Sequence, residues 1–134
     1  MNQNFIFPGQ GSQKVGMGLD LFEKYALAKK YFDIANEIME YDISEICFNG
    51  PDDTLKLTEN TQPSLFIIEC ILSDLISEKG LKPNYIAGHS LGEYSALYSS
   101  KVFDFKTGLK LVKARSLAMK NAGKKNSGSM AAII

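Results

Sequence analysis

Cysteine is scarce in this chain: Cys47 and Cys70 are the only two. No C-x-x-C pair and no cluster of further ligands accompanies them, which argues against a disulfide framework and against a zinc site. They read as buried thiols in a reducing compartment. Net charge is missing as well. Lysine and arginine together number 15, aspartate and glutamate 15, for a formal net charge of zero. Nucleic acid and anionic membrane both need a cationic field, so neither is expected as the main partner. No apolar run approaches the length that spans a bilayer. The opening Met1-Asn2-Gln3-Asn4 has neither the charged region nor the apolar stretch of a signal peptide. These absences together point to the cytoplasm. Histidine occurs once, at His89, and arginine once, at Arg115.

What is present suits a globular domain. The 134 residues are of ordinary single-domain size, and 45% are hydrophobic against 22% charged. Phe5-Ile6-Phe7 reads as a short buried strand stopped by Pro8-Gly9. Residues 8–18, PGQGSQKVGMG, are too rich in glycine for a helix and form a loop. Leu27, Tyr31, Ile34, Ala35, Ile38 and Met39 recur at helical spacing along one apolar face. Asn49-Gly50-Pro51 breaks the chain. A second helix is predicted over 64–79, with Pro63 before its first turn, Gly80 at its end, and enough apolar density to pack against a sheet. Tyr85-Ile86-Ala87 reads as a second buried strand and Leu91–Ser100 as a helix. Asp104 is the expected N-cap of a long third helix ending near Gly123. Residues 124–129 are polar, and Met130–Ile134 read as the opening of another strand. Strands alternating with helices give an α/β fold with a mainly parallel sheet. Apolar residues at the very end of the sequence make the chain look cut rather than finished.

Gly88-His89-Ser90-Leu91-Gly92 matches G-x-S-x-G between a predicted strand and a predicted helix, the context of a nucleophile elbow. A turn this tight needs small residues on both sides of the serine. It raises the hydroxyl above the sheet, and the helix that follows lets the Leu91 amide face a developing oxyanion. A serine so placed needs a base. His89 is adjacent, but neighbouring side chains diverge in a sharp turn, so it reads as a structural side chain hydrogen-bonded beneath the elbow. No histidine follows Ser90. Either the chemistry is dead, or the base lies in sequence that this chain lacks. Arg115 falls on an apparent apolar stripe with Leu111, Val112, Ala118, Met119 and Ala122. An inward guanidinium needs an anion or carbonyls, and an internal carboxylate and a substrate carboxylate satisfy it equally well.

Three segments converge on one family. Phe7-Pro8-Gly9-Gln10-Gly11-Ser12-Gln13, the run Gly88-His89-Ser90-Leu91-Gly92-Glu93-Tyr94-Ser95-Ala96-Leu97, and the helix with Arg115 resemble malonyl-CoA:acyl-carrier-protein transacylase. Thr61-Gln62-Pro63-Ser64 and Ser127-Gly128-Ser129-Met130-Ala131-Ala132 resemble it in order and spacing. The resemblance implies an α/β-hydrolase-like large subdomain with a parallel sheet and a small ferredoxin-like subdomain inserted after the serine. Residues 1–128 would be the N-terminal part of the large subdomain, and 129–134 the start of the small one. It implies Ser90 as the nucleophile that carries the malonyl ester, and Gln10 and Leu91 as oxyanion-hole amides. Arg115 would pair with the malonyl carboxylate, with Gln62 and His89 also around the substrate. It implies malonyl-CoA and acyl carrier protein as partners, together with the missing C-terminal part of the same enzyme. CoA enters as a substrate, and no metal or other cofactor is required. Family members are considerably longer, and their catalytic histidine lies in the part missing here.

Other readings are a serine hydrolase with the same elbow, a polyketide-type acyltransferase, and a non-catalytic chain that binds CoA or a carrier protein. Arg115 and the FPGQGSQ loop oppose the first. Met1 lies close to the first strand, which favours a discrete enzyme over a module of a larger synthase.

Overall fold

The computed structural model describes residues 3–125 and Gly128. Two strands, β1 (Asn4–Phe7) and β2 (Tyr85–Gly88), pair in parallel with Phe7 opposite Gly88. Both fall where the apolar triplets predict, but they are not the buried strands expected: of their residues only Phe7 is buried, and Ile6 and Tyr85 are exposed. The connection between them carries five helices: α1 (Leu19–Lys24), α2 (Ala26–Met39), α3 (Ile43–Asn49), α4 (Asp52–Leu55) and α5 (Thr58–Glu78). After β2 come α6 (Gly92–Ser99) and α7 (Phe105–Lys125). The strand expected over Met130–Ile134, and with it the start of a small subdomain, lies outside the described residues.

Helix α5 is the hub. It is buried along most of its length and packs on α7, α6, α2 and α3. Its partners are therefore chiefly helices, not the sheet that its apolar density suggests. It also begins earlier than the sequence indicates, at Thr58 instead of after Pro63, which sits inside it. A proline there removes the N–H that would bond the Glu59 carbonyl. The Tyr41 hydroxyl lies 3.4 Å from that carbonyl, but its one proton is better placed on Asn60 Oδ1 at 2.8 Å. The turn, which also carries Gln62, is buried by neighbouring elements, and that packing offsets the local cost.

The core gathers Phe32, Ile43, Phe66, Ile67, Ile71, Leu91, Leu109 and Val112, all fully buried. Aromatic rings tie its edges together. Tyr31 stacks on Phe105 at 4.3 Å, and Phe105 stacks on Phe66 at 5.9 Å. Cys47 and Cys70 are buried and unpaired with each other. Asp104 caps α7 as expected, its carboxylate accepting from the Thr107 N–H at 2.7 Å. That helix runs through Gly123 to Lys125, because a single glycine costs a helix only about 1 kcal/mol. Its buried face is Phe105, Gly108, Leu109, Val112 and Ser116. Of the stripe expected to share a buried face with Arg115, only Val112 is buried; Leu111, Ala118, Met119 and Ala122 are exposed. Among the described residues no helix is long and apolar enough to cross a membrane.

Candidate active site

Ser90 stands at the tip of the β2–α6 turn with φ 54°, in the left-handed region that a non-glycine residue enters at a cost of about 1–2 kcal/mol. The turn closes on both sides by backbone contact. A Cβ on Gly88 would lie 2.1 Å from the Gly92 carbonyl carbon, and one on Gly92 would lie 2.1 Å from the Phe7 carbonyl oxygen. Both are forbidden distances, so the two glycines are steric requirements of bringing β1, β2 and α6 this close. The His89 N–H donates to the Phe7 carbonyl at 3.0 Å and holds the turn against the end of β1. Ser90 itself is exposed.

The loop after β1 lies against this turn. Gly9 is buried, and a Cβ there would sit 3.4 Å from the Ser90 Cβ. The next residue, Gln10, is exposed, and its Nε2 donates to Thr58 Oγ1 at 3.3 Å, which ties the loop to the start of α5. The backbone N–H groups of Gln10 and Leu91 have no hydrogen-bond partner among the described residues. Leu91 precedes α6, so its amide belongs to the positive end of that helix. Two free donors flanking the serine loop are the electrostatic requirement of an oxyanion site.

Arg115 reaches the serine from α7. Its Nη2 donates to Ser90 Oγ at 3.0 Å and its Nη1 to Gln62 Oε1 at 2.5 Å. Its Cζ lies 5.7 Å from the ring centroid of Tyr94, over the face of that ring. Gln62 is 1% exposed, and its Nε2 donates to Met119 Sδ at 3.2 Å. With the sulfur accepting on one side, the amide presents its oxygen to the guanidinium. Among the described residues no carboxylate lies within ion-pair distance of Arg115. The internal Asp or Glu partner left open by the sequence is therefore absent there. A half-buried guanidinium held by neutral groups keeps its full charge for an anion.

The six residues singled out from the sequence separate into two groups. Ser90, Arg115 and Gln62 form one hydrogen-bonded chain, with the Leu91 amide next in sequence and the Gln10 loop packed alongside. His89 departs from expectation. Its side chain is exposed and has no hydrogen bond among the described residues, so it does not lie bonded beneath the elbow. The imidazole lies against the Gly9 loop instead, its Nδ1 3.0 Å from where a Gly9 Cβ would be. Two contributors went unread. Tyr94 stood inside the quoted elbow run and Met119 on the stripe with Arg115, but nothing local marks a ring as a cation platform or a thioether as an amide's acceptor.

Comparison with known proteins adds the following. The family model described as acyl transferase domain matches residues 4–134. The malonyl CoA-acyl carrier protein transacylase of Synechocystis sp. is 53% identical over 134 residues, covering 100% of this chain and 44% of that protein. A polyketide biosynthesis malonyl CoA-acyl carrier protein transacylase of Bacillus subtilis is 44% identical over 132 residues, covering 97% of this chain and 43% of that one. The crystal structure of the Synechocystis transacylase superposes with a TM-score of 0.87 at 55% identity, over 91% of this chain and 41% of the other. The chain therefore spans less than half the length of these relatives.

Proposed function

Because the chain belongs to the acyl transferase domain family, we propose that it carries the acyl-accepting serine of a malonyl-CoA:acyl-carrier-protein transacylase. The observation that carries this reading is the placement of Arg115 on Ser90 with no carboxylate partner among the described residues. A free carboxylate at the far end of a malonyl group satisfies the guanidinium in a two-pronged pair, and a plain acyl chain does not. The relatives' names speak of malonyl-CoA and acyl carrier protein, and the site chemistry fits both.

The transfer proceeds in two steps. Ser90 Oγ attacks the thioester carbonyl of malonyl-CoA, the C–S bond breaks, and CoA leaves as the thiol with the serine's proton. The phosphopantetheine thiol of the carrier protein then attacks the malonyl ester, and its proton returns to Ser90. The amides of Gln10 and Leu91 receive the oxyanion in each tetrahedral intermediate. Arg115 releases Ser90 Oγ as it takes the substrate carboxylate, and Gln62 keeps the guanidinium aligned. Neither Arg115, a permanent cation, nor the outward His89 is placed to take the serine's proton, so the base comes from sequence beyond these 134 residues. The described elements belong to an α/β-hydrolase-like large subdomain. CoA is a substrate, and the chemistry uses no metal or redox group.

The test is a chimera in which these residues replace the matching part of the Synechocystis relative, incubated with malonyl-CoA. Intact mass followed by peptide mapping is expected to find a malonyl ester on Ser90 and none in Ser90→Ala. A folded chimera with no adduct, or with one elsewhere, overturns the reading.

A further inference from the structure

Gln62 and Ser90 each hold one arm of the Arg115 guanidinium, through Nη1 and Nη2. In the proposed reaction Nη2 leaves Ser90 Oγ for the substrate carboxylate. Among the described residues, two of the contacts given for the guanidinium then remain: the Gln62 amide oxygen, and the Tyr94 ring 5.7 Å from Cζ. One hydrogen bond fixes a point and leaves a planar group free to swivel about it. A carboxylate accepts two parallel N–H bonds only when it lies in the guanidinium plane. A ring face against Cζ restricts the swivel and attracts the cation at the same time.

Tyr94 is held where this requires. Its N–H donates to the Leu91 carbonyl at 2.9 Å, so it sits in the first turn of α6, next to the Leu91 amide assigned to the oxyanion. Its ring is half-buried and packs against the core. The hydroxyls of Tyr31 and Tyr98 bond Asp74, and that of Tyr41 bonds Asn60. No such bond is made by the Tyr94 hydroxyl among the described residues, so the aromatic face is what this side chain brings to the site. Gln62 belongs to α5 and Arg115 to α7. Of the two remaining contacts, Tyr94 is the one that refers the guanidinium to the elbow's own helix.

We infer that Tyr94 is a positioning residue for carboxylate recognition. Its ring holds the plane of the Arg115 guanidinium in a fixed attitude to the elbow, so that a malonyl group gripped by its carboxylate presents its thioester carbonyl to Ser90 and the Leu91 amide. Tyr94 touches none of the reacting atoms and acts through Arg115. An acyl group without a carboxylate does not use the guanidinium and does not register the ring. The inference rests on the acyltransferase reading for the identity of the substrate.

The experiment measures equilibrium binding of malonyl-CoA and acetyl-CoA by calorimetry, on the chimera described above carrying Ser90→Ala. That background cannot form the ester, and it removes the serine contact, leaving Gln62 and Tyr94 to hold Arg115. Adding Tyr94→Leu is expected to weaken malonyl-CoA binding at least about fivefold and acetyl-CoA binding less than about twofold. Tyr94→Phe is expected to keep the parent's affinities. A ring-fluorinated phenylalanine at the same position keeps the shape but drains the face of negative charge, and is expected to weaken malonyl-CoA alone. Once Arg115→Ala is present, Tyr94→Leu is expected to cost nothing further, because the two residues act as a pair. An unchanged malonyl-CoA affinity in Tyr94→Leu overturns the inference, as does an equal loss for both thioesters. A parent that does not distinguish the two thioesters, a fluorinated ring that binds like phenylalanine, or a full Tyr94→Leu cost persisting without Arg115 overturns it as well. None of these readouts uses acyl transfer. A chimera with Ser90 intact that forms no malonyl ester refutes the acyltransferase reading, and a Tyr94 variant that binds malonyl-CoA like its parent refutes this one.

Discussion

Arg115 rests on Ser90: its Nη2 donates to the serine Oγ at 3.0 Å from α7, a helix that begins at Phe105, fifteen residues after the serine. In the proposed function this contact gives the chain's one arginine a double role. Its charge would stabilise the serine oxygen as that oxygen becomes anionic, and a carboxylated acyl group would offer the guanidinium a stronger partner and free the hydroxyl.

Gln62 keeps that guanidinium available because its amide oxygen is neutral. Gln62→Glu places a carboxylate at the same position and gives Arg115 an internal ion pair. The expected result, measured on the chimera, is a KM for malonyl-CoA raised at least about tenfold, with acetyl-CoA turnover little affected. An unchanged KM would show that Arg115 does not read the substrate carboxylate.

The elbow should show its strain in stability. Ser90→Gly is expected to stabilise the fold by about 1 kcal/mol, since glycine enters a φ of 54° without the Cβ penalty. Ser90→Ala keeps the Cβ and should gain none of this. Gly92→Ala drives a methyl to 2.1 Å from the Phe7 carbonyl oxygen and should lose about 3 kcal/mol or more. Urea unfolding of the three variants checks the ordering, and a Ser90→Gly variant no more stable than Ser90→Ala would contradict it.

Glu69 links stability to pH. Burial pushes its carboxyl up from an ordinary value of 4.5 to about 7, although the hydrogen bond from Ser95 pulls the other way. Between these values the folded chain holds a proton that the unfolded chain has released. Stability from this group is therefore complete below pH 4.5 and declines as pH rises through about 7, by about 3 kcal/mol in all. The difference in unfolding free energy between the wild type and Glu69→Gln, followed from pH 4.5 to 8, should fall across that window. A flat difference would refute the assignment.

The parts of this molecule that were legible in its sequence are those fixed by neighbours along the chain. Gly88, Ser90 and Gly92 announce the elbow because the turn itself forbids larger residues, and Asp104 caps α7 through a bond three residues away. What escaped depends on distant partners. Pro63 reads as a helix start, and only the burial of its turn by elements distant in sequence makes an interior position tolerable. Helices α1, α3 and α4 are too short to show a period. The face of α7 was misplaced because Leu111 and Met119 are apolar yet exposed. For the site, the motif located Ser90, but the absence of a carboxylate around Arg115 could be read only from the packing of α5, α6 and α7.

The central claim is that Arg115 selects a carboxylated acyl group for Ser90. Its most direct test offers the chimera equal amounts of malonyl-CoA and acetyl-CoA and measures by mass the two esters on Ser90, in the wild type and in Arg115→Ala. The account predicts mostly malonyl ester in the wild type and a preference reduced at least about tenfold in the variant, as expected when a charge-assisted pair is lost. A preference that survives Arg115→Ala unchanged would contradict it.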